Sequence, residues 1–358
     1  GEFGSLEYQA VMRQDRAQSI SIDWENGESN ILSAAEVYEL IFNNDQPWFL
    51  SANGTIFTHE FAGVIPGLLE RWYADRKELQ AKKKKAIDAN NEVETAFWDK
   101  RQLVKKINLN SLYGAILNPG CRFFDKRIGQ STTLTGRAIA KHMDAHINEA
   151  LTGKYDMASK TNEIICGEYD YRGKSVIYGD TDSVYFSAYQ PLKAEIDAGN
   201  VPWSKESVTQ LYDSVAEEVN KSFPKYMLTG FNCPSAYGKL IAAGREAVGS
   251  KGLFITKKRY AMKIYDLEGE TVDKIKAMGL DLKRSDTPAY IQDFLSDILD
   301  KVLTGSEEEE VMDFIADFRL EFKKMPGWEK GSPRRVNKLT EYHSREKRKG
   351  KINMPGHV

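Results

Sequence analysis

Two aspartates separated by one residue, Asp180 and Asp182, are the side chains whose type and spacing point most directly to chemistry. They lie in residues 175–186, where two β-prone runs flank a Gly-Asp-Thr-Asp centre, a pattern that predicts a β-hairpin. Residues two apart in an extended chain project to the same side. Neighbouring carboxylates repel each other, and a hard divalent cation bound through oxygen relieves the repulsion. The doublet therefore predicts a Mg²⁺ site, and two such ions about 4 Å apart suit phosphoryl transfer.

The alternative for a bare Asp-x-Asp is simple turn chemistry, because aspartate is common in turns. Here the doublet stands inside the longer string Tyr-Gly-Asp-Thr-Asp-Ser, residues 178–183. This string resembles motif C of the family B DNA polymerases, in particular the replicative enzymes of T-even-like bacteriophages. The resemblance implies that Asp180 and Asp182 are catalytic and bind two Mg²⁺ ions, for which Mn²⁺ can substitute.

A second segment, residues 106–114 (Lys-Ile-Asn-Leu-Asn-Ser-Leu-Tyr-Gly), resembles motif B of the same family. Lys106, Asn110 and Tyr113 follow one another at helical spacing and share one face. A lysine suits phosphate charge, an aromatic ring suits a base pair, and Gly114 permits close approach. The resemblance implies that these four residues bind an incoming deoxynucleoside triphosphate.

Basic residues on the preceding helix extend this comparison. Arg76 matches one triphosphate-binding position of the phage enzymes, whereas the second basic position holds Gln80. The nearby run of residues 82–85, all lysine, either substitutes for that second basic residue or forms a solvated helix face.

Glu246, in the string Gly-Arg-Glu-Ala, resembles the family's palm glutamate near the metals, which implies an accessory catalytic carboxylate. A structural glutamate paired with Arg245 or a nearby lysine is the alternative.

A Lys-Lys-Arg-Tyr string further along the chain resembles the family motif that holds the primer terminus. Cationic contacts to phosphates position a duplex without reading its sequence, which suits an enzyme that must accept every sequence. A plain surface run is the alternative. The residues implied in DNA binding are Lys257, Lys258, Arg259 and Tyr260.

The elements that must position these residues form a mixed pattern without regular βαβ spacing, which favours an α+β fold. The resemblance implies a right-hand polymerase fold with a mixed palm sheet, antiparallel two-helix fingers and a helical thumb base. Helices are predicted at 67–88, 92–114, 132–151, 288–303 and 308–323, and strands at 174–178, 183–187 and 252–265.

The expected domain order follows from the same resemblance. Its segments are a vector-derived leader (1–7), an N-terminal palm segment (8–62), a fingers helical hairpin (63–118), a palm with motif C (119–281) and a partial thumb (282–358). In the thumb, residues 323–351 hold 11 Lys and Arg against three Glu, which suits contact with a DNA backbone.

Composition excludes some classes of protein. The 358 residues are 41% hydrophobic and 28% charged, with a net charge of −2, the balance of an ordinary globular chain. No apolar run approaches the roughly 20 residues that span a bilayer, so no membrane partner is expected. The three cysteines are too few and too scattered for a disulfide framework. His142 and His146 are expected on the surface of an amphipathic helix.

One family feature is missing. The 358 residues contain no Asp-x-x-Ser-Leu-Tyr-Pro-Ser string, the motif A that carries a third metal-binding aspartate in this family. Residues 8–14 loosely resemble its tail, which would make Tyr8 the ribose-screening tyrosine of the nucleotide site. No proofreading exonuclease signature is found either. The chain is therefore expected to be cut at both ends and inactive by itself.

Two functions follow as alternatives. The first is the core of a template-directed DNA polymerase that acts on primer–template DNA and deoxynucleoside triphosphates. The second is a non-catalytic primer–template-binding fragment, or a split half that needs a second polypeptide for motif A and the exonuclease. The resemblance further implies a sliding clamp for the full enzyme and the cytoplasm of an infected bacterial host as its location.

Overall fold

The computed structural model describes residues 16–151, 175–327 and 329–332, which contain both helices and strands. Contacts divide the chain into unit 1, residues 1–194 and 214–243, and unit 2, residues 195–213 and 244–358. No helix in the described ranges combines the length and apolar character needed to cross a membrane. The elements in chain order are β1 (Ser19–Asp23), β2 (Ser29–Ser33), α1 (Ala34–Phe42), β3 (Trp48–Leu50), β4 (Ile56–Thr58), α2 (Val64–Asp88), α3 (Glu92–Ile116), α4 (Lys126–Leu151), β5 (Val176–Asp180), β6 (Ser183–Phe186), α5 (Tyr189–Asp197), α6 (Lys205–Phe231), α7 (Ser235–Gly238), β7 (Ala247–Thr256), β8 (Arg259–Leu267), β9 (Glu270–Met278), a 3₁₀ turn (Asp281–Lys283), α8 (Ala289–Thr304) and α9 (Glu308–Lys324).

The mixture of helices and strands confirms the predicted α+β class. Every strand pairing in the described ranges is antiparallel, so the mixed palm sheet implied by the resemblance is not seen there.

The described part of unit 1 starts with a β-hairpin packed on a short helix. β1 and β2 pair from Ser19 with Ser33 to Asp23 with Ser29. Ser33 then caps α1, because its hydroxyl accepts a hydrogen bond from the Glu36 N–H while the Glu36 carboxylate accepts one from the Ser33 N–H. The buried residues of this small core are Ile22, Val37, Ile41 and Leu50.

Helices α2 and α3 form the predicted antiparallel hairpin. The turn between them contains Asn90 at φ 52°, a left-handed conformation that asparagine tolerates. The Asn91 side chain accepts a hydrogen bond from the Glu94 N–H at 3.1 Å and caps α3. Within these two helices only Ala86 and Ile116 are buried. Hydrophobic burial therefore contributes little to holding the hairpin together.

The main core of unit 1 lies between α4 and the part of α6 that belongs to the same unit. Its buried residues are Ala52, Ala138, Tyr226, Met227, Phe231 and Cys233. His142 lies in this interface, where its ring stacks on Tyr226 with centroids 4.0 Å apart and its Nε2 hydrogen-bonds Ser222 Oγ at 2.9 Å. His146 is only 3% exposed. The surface position predicted for both histidines is therefore wrong, because they lie on the side of α4 that packs against α6.

Burial of His142 makes the stability of unit 1 sensitive to acid. Desolvation, helped by the neighbouring His146, lowers the pKa of His142 from 6.5 to about 4. As the pH falls, His142 therefore becomes protonated near pH 6.5 in the unfolded chain but only near pH 4 in the folded chain. Stability is lost as the pH falls through this window, by about 2 kcal/mol at its lower end once solvent screening of the partly exposed ring is allowed for.

Urea unfolding at several pH values between 7.5 and 4.5 measures this loss. His142→Gln, which keeps a polar side chain facing Ser222 but cannot titrate, is expected to flatten the pH dependence relative to the parent chain. An equal loss of stability in both chains would show that His142 is not the titrating group.

Unit 2 is built on the antiparallel sheet β7–β8–β9. Helix α8 covers one face through the buried residues Ala261, Ala277, Leu282 and Leu303. Helices α8 and α9, which confirm the two predicted near 288–303 and 308–323, meet through aromatic rings such as Phe294 and Phe318, whose centroids are 3.6 Å apart. The single strand predicted over 252–265 is wrong: β7 ends at Thr256 and β8 begins at Arg259, because the chain turns between them.

Candidate active site

Asp180 and Asp182 lie at the tip of the β5–β6 hairpin, which confirms the predicted hairpin. Asp180 is the last residue of β5 and pairs with Ser183, so that Thr181 and Asp182 form the turn. The Asp182 N–H donates to the Asp180 carbonyl oxygen at 2.6 Å. The backbone reverses between the two aspartates, so the extended chain expected between them is wrong.

Thr181 carries local backbone strain in this turn. Its φ is 52°, in the left-handed region that β-branched residues rarely occupy. The Thr181 hydroxyl donates to Asp180 Oδ1 at 3.3 Å, and the Ser183 hydroxyl donates to the Asp180 carbonyl oxygen at 3.1 Å. Strained residues persist where their surroundings hold them, and they concentrate at functional sites. The strain therefore favours a ligand-binding role for this turn over a plain connection.

Helix α4 fixes the base of this hairpin. The Asn148 side-chain oxygen accepts hydrogen bonds from the backbone N–H groups of Ser175 at 2.7 Å and Val176 at 3.0 Å. The hairpin continues one step further through the Ser187 N–H, which donates to the Ser175 carbonyl at 3.0 Å. No local sequence pattern predicts this anchor, because Asn148 lies far from the hairpin along the chain.

The two carboxylates fit the chemistry of Mg²⁺ as part of a ligand set. Asp182 is exposed and Asp180 is half-buried, and both offer the hard oxygen donors that Mg²⁺ prefers. Across residues 16–151, 175–327 and 329–332, no group of three or more His, Cys, Asp and Glu side chains is arranged to hold a metal ion. Within those ranges the site therefore offers two carboxylates without a third.

Polar contacts join the two helices of the α2–α3 hairpin. Lys105 Nζ lies 2.6 Å from Asp75 Oδ2, and Arg76 Nε donates to Gln102 Oε1 at 3.4 Å. Arg76, predicted to bind triphosphate, is thus half-buried and turned towards α3.

A further pair joins Lys83 to Asp99 at 3.2 Å. Partial burial acts to raise the pKa of Asp99, but hydrogen bonds from Lys83 and Gln102 outweigh it and lower that pKa. Lys82 pairs with Glu78 at 2.6 Å and lies over the Trp98 ring. Two of the four lysines at 82–85 therefore already have partners on the hairpin.

The predicted nucleotide-binding residues of α3 are at the surface. Lys106 and Asn110 are exposed, and the Tyr113 hydroxyl hydrogen-bonds the Gly129 carbonyl and the Thr133 hydroxyl of α4. Tyr113 is 37% exposed, so its hydroxyl is held by hydrogen bonds while part of the residue stays accessible. A Cβ at Gly114 would meet no protein atom within 4 Å, so packing within the described chain does not require glycine there.

Glu246 lies in unit 2 and forms an ion pair. Its carboxylate is 2.8 Å from Lys276 Nζ, and its backbone carbonyl accepts a hydrogen bond from the Glu268 N–H at 2.7 Å. The adjacent Arg245 pairs instead with Asp213, at 2.7 Å, and with Asp266. The ion-paired alternative for Glu246 is thus present, and its accessory catalytic role stays a prediction.

The Lys-Lys-Arg-Tyr string spans the turn between β7 and β8. Lys257, Lys258 and Arg259 are exposed there. Tyr260 is only 5% exposed and stacks on Phe254 with centroids 5.5 Å apart. This segment therefore presents three cations to solvent. Direct contact of Tyr260 with DNA stays a prediction, and the side chain has little exposed surface with which to make it.

Some predicted features lie outside the described residues. They are Tyr8, the leader at 1–7, Cys166 and most of the basic stretch of residues 323–351.

Comparison with known proteins places these features in a family. The family model described as DNA polymerase family B matches residues 8–230 and 235–346. The DNA-directed DNA polymerase of Escherichia phage RB69 is 30% identical over 221 residues, which are 58% of this chain and 22% of the relative. That of Enterobacteria phage T4 is 27% identical over 242 residues, 63% of this chain and 24% of the relative. The DNA polymerase alpha catalytic subunit of Arabidopsis thaliana is 26% identical over 265 residues, 73% of this chain and 14% of the relative. The chain thus spans less than a quarter of the length of these relatives.

Proposed function

Because this chain belongs to DNA polymerase family B, we propose that it forms the polymerase core of a template-directed DNA polymerase. The reaction is transfer of a deoxynucleotidyl group to a primer 3′-hydroxyl. The observation that carries the proposal is the strained turn that presents Asp180 and Asp182 at the tip of the β5–β6 hairpin. The proposed right-hand layout assigns residues 63–118 to the fingers, 8–62 and 119–281 to the palm, and 282–358 to the thumb.

Asp180 and Asp182 are the proposed metal ligands. Their carboxylates would hold Mg²⁺, whose chemistry there would be a lowered pKa of the primer hydroxyl and stabilisation of charge on the α-phosphate and the pyrophosphate leaving group. The protein contributes carboxylates held on a hairpin that Asn148 fixes to α4. Such prior fixing keeps the ligands in place without a reorganisation cost at the moment of reaction.

The α2–α3 hairpin is the proposed binding site for the incoming nucleotide. Lys106 contacts the triphosphate, Asn110 contacts the nucleotide, the Tyr113 ring lies beside the new base pair, and Gly114 allows close approach. Arg76 also contacts the triphosphate, once its hydrogen bond to Gln102 is replaced by one to a phosphate oxygen. Because few residues of the hairpin are buried, its two helices can close over a correctly paired nucleotide at low cost, which supports selection by induced fit.

A specific observation favours a second candidate, a non-catalytic or split half that binds primer–template DNA. The described residues offer no third carboxylate beside the doublet, and the 358 residues lack the Asp-x-x-Ser-Leu-Tyr-Pro-Ser string. A second polypeptide would then supply that aspartate. Primer extension with and without a segment carrying the aspartate separates the two candidates. The phage relatives support action in an infected host cell under either candidate.

Both candidates require the β7–β8 turn to contact DNA phosphates, and salt dependence tests this. Replacing Lys257 and Lys258 together by alanine is expected to weaken primer–template binding at least tenfold. The slope of log Kd against log salt should fall by about two, because each lost phosphate contact removes roughly 0.9 from it. Fluorescence anisotropy between about 50 and 300 mM KCl measures both the affinity and the slope.

The matched control removes two other exposed lysines, Lys225 and Lys239, which lie in unit 1. It changes the net charge equally and should leave the slope intact. Equal losses in the two double variants would mean that only overall charge matters and that the turn is not a DNA contact.

A further inference from the structure

The turn that carries Lys258 has an unusual backbone. Thr256 pairs with Arg259, so Lys257 and Lys258 alone connect β7 to β8. Lys258 has φ 62°, a left-handed conformation that residues other than glycine rarely adopt. Something in the surroundings must therefore hold this turn in place.

Gly279 lies directly against this turn. It follows Met278, the last residue of β9, which pairs with Tyr260 of β8. A Cβ at Gly279 would overlap the carbonyl oxygen of Lys258 and would lie 3.1 Å from the Lys258 carbonyl carbon. The Arg259 side chain ties the two segments together, because its Nε donates to the Gly279 carbonyl at 3.2 Å.

Two features together restrict this position to glycine. The φ of Gly279 is 65°, which strains any L side chain. The overlapping atom belongs to the backbone of Lys258, so it cannot swing aside as a flexible side chain would. Any side chain at 279 must therefore displace the Lys257–Lys258 turn from the sheet.

We propose that Gly279 is a positioning residue for primer binding: the absence of its side chain lets the Lys258 backbone rest on the end of β9 and sets the place of the Lys258 ammonium group. The inference rests on the proposed function of the turn as a phosphate contact. It assigns a role in DNA binding to a residue that itself touches no phosphate.

The chain offers a close control at Gly269, in the turn between β8 and β9. Gly269 has φ 88°, so alanine there meets the same left-handed strain, but a Cβ would find no atom within 4 Å. Gly279→Ala therefore adds strain and collision, whereas Gly269→Ala adds strain alone.

The experiment measures primer–template affinity and its salt dependence for the full chain and three single variants. Gly279→Ala is expected to raise Kd roughly tenfold at 100 mM salt and to lower the salt slope by about one, the signature of one lost phosphate contact. Gly269→Ala should stay within about twofold of the parent, with an unchanged slope. Lys258→Ala should match Gly279→Ala.

A double variant tests whether Gly279 acts through Lys258. If it does, Lys258→Ala combined with Gly279→Ala binds no more weakly than Lys258→Ala alone, because residues that act through one contact are not additive. Additive losses, equal losses at Gly269 and Gly279, or a weaker affinity with an unchanged salt slope would each overturn the inference.

The same single variants distinguish two further outcomes. If Lys258→Ala leaves binding unchanged, the phosphate contact itself is absent, and both the proposed role of the turn and the inference fall. If only Gly279→Ala is without effect, the contact stands and the positioning role falls. Should Gly279→Ala not fold, Gly279→Asn keeps the collision with less backbone strain, since asparagine enters the left-handed region more readily, and it must show the same loss.

Discussion

Primer extension by the 358-residue chain alone is expected to be at least roughly a thousandfold slower than by the same chain co-expressed with a segment that carries Asp-x-x-Ser-Leu-Tyr-Pro-Ser. The reason is the ligand set. Two-metal phosphoryl transfer needs carboxylates on both ions, and the β5–β6 turn supplies only Asp180 and Asp182. The measurement uses primed template, Mg²⁺ and all four deoxynucleoside triphosphates, with the two preparations compared at equal DNA occupancy.

Asp180→Asn and Asp182→Asn in the complemented preparation provide the matched controls. Each keeps the size of the side chain while removing its charge, so each should abolish the restored synthesis. Synthesis by the chain alone that disappears in Asp180→Asn would contradict the prediction, because the chain would then hold a complete ligand set. Synthesis that survives Asp180→Asn would indicate a contaminating polymerase. No synthesis in either preparation, with DNA still bound, would favour the non-catalytic candidate.

Local sequence signals predicted much of the framework because their causes are local. Asn90 and Asn91 separate two long helices, and the structure ends one helix and caps the next there, since asparagine tolerates a left-handed backbone and accepts a capping hydrogen bond. The two β-prone runs that flank Gly-Asp-Thr-Asp in residues 175–186 likewise predicted the β5–β6 hairpin.

The errors arose where tertiary contacts override local pattern. Residues 252–265 have the composition of one long strand, yet the chain turns at Lys257 and Lys258. The Lys258 backbone lies against Gly279 there, where only glycine leaves room for it. His142 looks polar in sequence, but stacking on Tyr226 and a hydrogen bond to Ser222 compensate for its burial. Neither contact leaves a periodic trace in the sequence.

In the candidate site, too, the sequence predicts local features but not tertiary contacts. The motif at residues 106–114 identifies which residue types are present, but it cannot tell which of two neighbouring lysines has a partner. The structure separates them, because Lys105 pairs with Asp75 at 2.6 Å whereas Lys106 is exposed on a different side of α3. Within the described ranges Lys106 has no ion-pair partner.

This difference between adjacent lysines gives the most selective test of nucleotide binding. Lys106→Ala is expected to weaken binding of a Mg²⁺–deoxynucleoside triphosphate roughly 10- to 100-fold, since a hydrogen bond to a charged group contributes about 1.5–3 kcal/mol. Lys105→Ala should change affinity less than about threefold, within the range of an exposed ion pair. The measurement is titration of a fluorescent triphosphate into the chain bound to a primer that ends in a dideoxynucleotide.

The stability of the hairpin provides the reciprocal readout. Lys105→Ala removes a contact between α2 and α3 and should speed hydrogen exchange in both helices, whereas Lys106→Ala should leave exchange unchanged. If Lys105→Ala and Lys106→Ala weaken nucleotide binding equally, the effect is general loss of charge or of hairpin order, and the assignment of Lys106 is wrong. If only Lys106→Ala weakens it while exchange is unaltered, the binding role belongs to that side chain, because a lysine that contacts no other charged group before the ligand arrives can be removed without cost to the fold.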